Sequence, residues 1–335
     1  MRSHRGFARS KVCTFFLFLG SLVDAQAAPV PTLFVGTDSG VGTINAYTLP
    51  ITAASVPAYT LTPGSSTVSI GVDPAGDLLA GSLGGTLSYF PSPLATTPSA
   101  AFANAGSTSS GQIAFASGSA WVGDVALGPI NRFAPPFTNA SVPAQTLTPP
   151  GTSIGLTFDA ASNLYVADSN SISVYPPPYT GAPTVTTAAV AGLSYRKMAI
   201  SGSQLFVPTI APGTGAVEVY NLPLTAASVP AFQIATGTNF PEAIAFDAGG
   251  NMYVGNLGSS AVTVYGAPFS AGSAPTTTLA VPGFAIFSLA IGSAQPAPPA
   301  FAAVPAPMFD HGQLFAFCVL LLTVGLIALE ARRKA

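Results

Sequence analysis

The sequence predicts an all-β chain folded as a six-bladed β-propeller, and three observations carry that prediction. Short apolar segments separated by tight turns recur at intervals of 42 to 45 residues. One stretch occurs twice almost unchanged, as YTLPITAASVPAYTLTPG from Tyr47 and YNLPLTAASVPAFQIATG from Tyr220. The first copy of the repeat lacks an innermost strand, and the last copy carries a surplus one.

The unit is clearest in PEAIAFDAGGNMYVGNLGSSAVTVYGAPF, from Pro241 to Phe269. Apolar segments at 243–246, 252–255 and 261–265 are split by Asp-Ala-Gly-Gly-Asn and by a Gly-Ser-Ser turn, which predicts three antiparallel strands in tight hairpins. A lone three-stranded meander is marginal in water, so it must pack on copies of itself.

The copies align on the aromatic that ends each third strand: Tyr47, Phe90, Phe133, Tyr175, Tyr220 and Tyr265. Proline follows three residues later each time (Pro50, Pro93, Pro136, Pro178, Pro223, Pro268) and then a large apolar side chain. The second strand recurs as LFVG, LLAG, AWVG, LYVA, LFVP and MYVG. The first recurs as SIGVD, QIAFA, GLTFD, MAIS and AIAFD, with SLAIG from Ser288 as the sixth. Four strands per unit at this period is the signature of a propeller. The surplus strand, 286–292, is expected to pair with residues 32–36, so both chain ends build one blade and no open edge remains.

The stretch IAFDAGGNMYVGNLGSSAVTVY resembles the NHL repeat and YVTN-like extracellular bacterial proteins, over about residues 31–293. The resemblance implies architecture rather than a reaction. Two copies depart from it, reading FASGSAW and ISGSQL where the pattern has Asp-x-x-Gly-Asn.

Of the 335 residues, 49% are hydrophobic and only 7% charged, against roughly 25% charged in ordinary soluble domains. The ends account for part of this. Arg2, Arg5, Arg9 and Lys11 precede an apolar run at 12–23 and Ala25-Gln26-Ala27, the layout of a secretory signal peptide (residues 1–27) cleaved after Ala27, or retained as an anchor. After the propeller (28–293) comes a Pro/Ala-rich linker (294–307). The last segment, 308–335, has an apolar span at 314–331 and the basic residues Arg332, Arg333 and Lys334, read as a transmembrane helix with a cytoplasmic tail. With Val304, Pro305, Ala306 and Pro307 at its head, this end resembles PEP-CTERM and IPTL-CTERM sorting signals. The resemblance implies an exosortase-type membrane protease as partner and release to the surface of a Gram-negative bacterium. Uncleaved, the same segment is a membrane anchor.

The exported domain contains no Cys and no His, which excludes disulfides and serine triads. Nine acids against three bases (Arg132, Arg196, Lys197) give it a net charge of −6, so nucleic acid is not an expected partner. Asp73, Asp159 and Asp247 open first-to-second-strand turns and are expected to cap their own backbone. The opposite face is expected to hold Asp38, Asp124, Asp168 and Asn256 after the second strands. Arg196 and Glu242, at the starts of adjacent inner strands, are expected to pair beside the channel mouth. These six are the candidate ligand-binding residues, with no metal and no cofactor assigned.

Gluconolactonase-like and regucalcin-like propellers also have six blades, and similarity to them implies a divalent metal held by Glu, Asn and Asp at the channel. Here Glu242 alone matches that set. The sequence therefore reads as a non-catalytic, surface-anchored binding or structural module contacting extracellular polysaccharide or protein. A metal-dependent hydrolase of the gluconolactonase and regucalcin type is the alternative.

Overall fold

The computed structural model describes residues 29–38, 41–126, 128–281 and 285–294. The expected signal peptide, the linker after residue 294, Val304 to Pro307, the apolar span and Arg332 to Lys334 lie outside the described residues. Among the described residues every regular element is a strand, and no helix is long and apolar enough to cross a membrane.

Six sheets follow one another along the chain. Blade 1 joins the last strand to the first three: β25 (Ala285–Ala294) innermost, then β1 (Val30–Asp38), β2 (Thr43–Thr48) and β3 (Tyr59–Leu61). Blade 2 is β4 (Thr67–Val72), β5 (Leu78–Ser82), β6 (Thr86–Phe90) and β7 (Ala100–Ala103). Blade 3 is β8 (Ser110–Ala116), β9 (Ser119–Asp124), β10 (Ile130–Phe133) and β11 (Gln145–Leu147). Blade 4 is β12 (Gly155–Phe158), β13 (Leu164–Ala167), β14 (Ile172–Tyr175) and β15 (Val185–Thr186). In blade 5 the inner strand is broken into β16 (Ser194–Tyr195) and β17 (Ala199–Ser201), followed by β18 (Gln204–Ala211), β19 (Thr214–Asn221) and β20 (Phe232–Ile234). Blade 6 is β21 (Pro241–Phe246), β22 (Met252–Asn256), β23 (Ala261–Tyr265) and β24 (Thr277–Ala280). The six-bladed fold is the predicted one.

Because side chains alternate across a strand, each blade feeds two interfaces. Leu33 and Val35 point toward blade 6, whereas Phe34 between them joins the cluster shared with blade 2. Each of the six buried apolar clusters fills one boundary between neighbouring blades. The aromatics that mark the repeat period are core residues; Tyr47, the most accessible of them, is 3% exposed.

The glycine ending the second-strand motif has a packing cause. A Cβ on Gly123 would lie 2.1 Å from the Ser153 carbonyl oxygen of blade 4, and one on Gly255 would lie 2.8 Å from Ile286 of blade 1. Adjacent blades approach too closely there for any side chain.

Closure runs through β1 and β25, paired antiparallel from Val30↔Ala294 to Asp38↔Ala285, with Leu33 opposite Ile291. Ile286 and Leu289 of β25 pack in the blade 6 boundary, and Ala290 in the blade 2 boundary. A chain truncated before Ile286 would leave blade 1 without its inner strand and two clusters open. We expect it to melt at least about 10 °C lower, with a broadened calorimetric transition. A truncated chain melting as sharply and as high as the full chain would contradict closure by this pair.

Candidate functional site

The inner strands surround a central cavity of about 330 Å³, lined by side chains such as Ile70, Phe115, Leu156, Ile200 and Phe246. Most of the side chains around it are apolar, but the surface they and the strand backbones turn to the cavity is mainly polar. Gln112 is an exception among the side chains: its amide donates to the Met198 carbonyl (2.9 Å), and its oxygen accepts from Leu156 N (2.9 Å) and Met198 N (3.0 Å). That side chain ties three inner strands together.

Charge gathers where the inner strands of blades 5 and 6 begin, and two local irregularities put it there. Blade 5 has Pro208 in the second-strand position held elsewhere by Gly or Ala. Proline has no N–H to give the ladder, and the inner strand is interrupted between Tyr195 and Ala199, across from it. Arg196 N still donates to the Pro208 carbonyl at 2.9 Å, and Lys197 turns its N–H to the Glu242 carbonyl of blade 6 at 3.1 Å. In blade 6, Pro241 pairs with Asn256 and Ala243 with Gly255, so Glu242 is the extra residue of a β-bulge. Bulges re-aim a side chain and recur beside active sites.

The carboxylate of Glu242 receives both bases. Lys197 Nζ donates to Oε1 at 2.7 Å, and Arg196 Nε lies 3.3 Å from Oε2, an ion-pair distance without hydrogen-bond alignment. Lys197 and Glu242 are buried, whereas the Arg196 side chain keeps 27% of its surface exposed. The trio carries one net positive charge and presents a guanidinium at the channel mouth. Lys197 was missing from the sequence-based set because alternation along a regular strand sends neighbours to opposite faces. Its signal was available in LFVP, the copy that replaces the turn-approaching glycine with proline.

The other four candidates are placed differently. Asp124 is fully buried; its Oδ1 accepts from Ala126 N (2.6 Å) and Gly128 N (2.8 Å), and its Oδ2 accepts from the Ser107 hydroxyl. Asp168 accepts from Thr152 N (3.1 Å), the Thr152 hydroxyl (3.2 Å) and Ser169 N (2.5 Å). Asn256, also fully buried, accepts from Asn239 N at 2.8 Å and donates to Thr263 Oγ1 at 3.0 Å. Asp38 ends β1 opposite Ala285. Three of the four are thus occupied in holding loops, and among the described residues no hydrogen bond or ion pair joins Asp124, Asp168 or Asn256 to the Glu242 trio.

The turn aspartates cap their own backbone as expected: Asp73 Oδ1 accepts from Ala75 N and Asp77 N, both at 2.9 Å. Around Asp247, burial alone would raise the carboxyl, but bonds from Asn251, Tyr253 and Gly249 outweigh it and hold the pKa below the ordinary value. Glu218, buried like Glu242 and Asp124, accepts from the Tyr220 hydroxyl (2.6 Å) and Gln233 Nε2 (3.1 Å). Burial first, then the bond to Glu218, pushes Tyr220 far above the usual phenol range. Tyr195, bonded to Tyr220 at 2.8 Å, is pushed up to about 12, mainly by burial.

The residues do not fit the divalent metal implied by similarity to gluconolactonase-like and regucalcin-like propellers. Both Glu242 oxygens face cations, which repel a second positive charge, and among the described residues no group of three or more His, Cys, Asp or Glu could hold a metal ion.

No protein-family model and no curated protein matches the chain. Solved structures do. A chain of the nidogen/laminin complex aligns with a TM-score of 0.60 at 14% identity, covering 79% of this chain and 99% of that one. The periplasmic gluconolactonase PpgL of Pseudomonas aeruginosa aligns with a TM-score of 0.55 at 14% identity, covering 78% and 99%. A protein described as a putative 6-phosphogluconolactonase from Bacteroides uniformis aligns with a TM-score of 0.57 at 14% identity, covering 76% and 82%. The shared feature is the fold. The expectation of a non-enzyme is corrected by these neighbours, because propellers of this form bear the names of lactone hydrolases. That expectation rested on the absence of His and Cys and on Glu242 alone matching the metal-binding set; it included an Arg196–Glu242 pair but not Lys197 as a second base on the same carboxylate.

Removing the Glu242 charge would leave Lys197 buried and unpaired. We expect Glu242→Gln to cost about 3–5 kcal/mol in urea unfolding, with the double change Glu242→Gln and Lys197→Met recovering most of it. A Glu242→Gln variant as stable as the parent would show that the pair is not buried as described.

Proposed function

We propose that the propeller is a hydrolase of small sugar lactones that works at the channel mouth without a resident metal. The observation that carries this reading is the Arg196–Lys197–Glu242 trio, set on the inner strands of a fold whose solved neighbours include a gluconolactonase. Attack of water on a lactone carbonyl builds negative charge on the carbonyl oxygen, and a prepositioned cation lowers the barrier by meeting that charge. Arg196, partly exposed, is the group that would touch the oxyanion. Glu242 and the buried Lys197 hold it in place, so their role is positioning. A lactone opens by addition of water alone, giving a hydroxy acid with no leaving fragment. As the new C–O bond forms and the ring C–O bond breaks, the attacking water gives up a proton to solvent and the departing ring oxygen takes one from solvent, so the step balances with the three side chains acting on charge and position alone.

The sequence features at the two ends support export and surface attachment for this hydrolase. Residues 1–27 have the signal-peptide layout, and 304–335 resemble a sorting signal that an exosortase-type protease would process. The resemblance to NHL and YVTN-like extracellular propellers agrees with that placement.

The test is hydrolysis of D-glucono-δ-lactone by the purified protein, followed in a pH-stat against the uncatalysed rate. The account expects saturable hydrolysis, reduced about 10²–10³-fold in kcat by Arg196→Gln with little change in melting temperature. A rate no higher than in buffer, or an Arg196→Gln variant with full kcat, would overturn it.

A further inference from the structure

Two of the propeller's three bases share Glu242; the third, Arg132, is placed very differently. It stands in the third-strand position occupied in the other copies by Ala46, Tyr89, Val174, Val219 and Val264. No sister copy carries a charge there, so the repeat itself does not call for a guanidinium. Arg132 lies across from Trp121 in the β9–β10 register, with its guanidinium carbon 5.9 Å from the ring centroid. Its Nε donates to the Ser119 hydroxyl at 3.2 Å. Among the described residues no carboxylate comes within ion-pair distance of it.

Arg132 faces a cavity of about 280 Å³ between blades 3 and 4, lined also by Ser117, Trp121, Ser162, Pro177 and Tyr179. The cavity lies at the ends of the inner strands opposite those that hold Glu242. It opens beside the turn that broke the sequence pattern. Where blades 2, 4 and 6 have five-residue Asp turns, blade 3 turns in two residues, Ser117 and Gly118, both with positive φ (49° and 71°). Ser162 (φ 65°) and Tyr179 (φ 63°) also adopt left-handed backbone. Three of the five non-glycine residues with positive φ among the described residues therefore meet at this one cavity. For tyrosine that conformation is disfavoured, and such strain concentrates at binding sites.

We propose that this cavity is a binding site for the carboxylate of a small sugar acid. The guanidinium supplies paired donors matched to a carboxylate. Tyr179 and Pro177 give apolar faces for the C–H side of a pyranose ring, and Ser117 and Ser162 place hydroxyl-bearing residues at the rim. The volume of about 280 Å³ lies just below the roughly 300–1,000 Å³ of drug-sized ligand pockets, which limits the ligand to the size of a monosaccharide. The site does not depend on the lactonase reading, since it shares no residue with the Glu242 trio.

Trp121 is the one tryptophan in the sequence and lies against Arg132, so its fluorescence reports the site directly. Titrating the full chain with D-glucuronate is expected to change that emission saturably, whereas D-glucose at equal concentration and ionic strength is not. Arg132→Val copies the residue of three sister blades and is expected to fold with an unchanged or higher melting temperature while binding about tenfold or more weakly. Arg132→Gln serves as the second variant should the valine form melt early. Arg196→Gln is expected to leave the titration as in the parent. The proposal is overturned by a flat glucuronate titration, by an equal response to glucose or to acetate, or by binding of parental strength in the folded Arg132 variants.

Discussion

Everything in this protein depends on the antiparallel pairing of the first strand with the last. A blade has two apolar faces and no core of its own, so it is stable only between two neighbours. Six boundaries exist among six blades only when the ring is closed. Without β25, Leu33 and Val35 on one side and Phe34 on the other would lose packing partners in both of their clusters at once. The chain ends therefore carry a share of stability far out of proportion to their length, and folding must bring residues some 250 positions apart together before the last boundary can fill. Such pairing is entropically costly and slow relative to local hairpins.

Closure also sets the terms for function. A regular repeat supplies a channel wall of backbone and mostly uncharged side chains and little chemistry, so chemistry must come from the few positions where one copy carries a charge its sisters lack. Pro208 interrupts an inner strand, and Glu242 puts a carboxylate at the bulge position that Val68 holds in blade 2; together they place three charges within one small cluster. Arg132 follows the same logic at a different boundary. Departures from a repeat are informative because five sister positions show what packing alone requires.

The architecture was legible because the repeat period, the paired prolines and the surplus terminal strand are all properties of spacing. The Arg196–Glu242 proximity was legible for the same reason, since both align at the start of adjacent inner strands. Lys197 was hidden because a regular strand sends neighbouring side chains to opposite faces, and only the break opposite Pro208 brings both bases to one carboxylate. Asp124, Asp168 and Asn256 were candidates from their places after the second strands, yet they are drawn into satisfying the backbone N–H groups of loops beside them. Side-chain polarity could not distinguish a residue that offers its oxygens to a ligand from one that spends them on its own loop. Likewise, counting residue types suggested an inert module, because an inventory does not show that a carboxylate and two bases meet at one point.

The claim that the ring is one closed, cooperative unit is tested most directly by native-state hydrogen exchange resolved by residue. The account predicts that the slowest amides of β1 and β25 open with the same free energy and the same denaturant dependence as those of β13 and β22, because no blade can leave alone. Sub-global opening of β25 at markedly lower free energy, with the other blades still protected, would show that the terminal strands decorate a ring that stands without them.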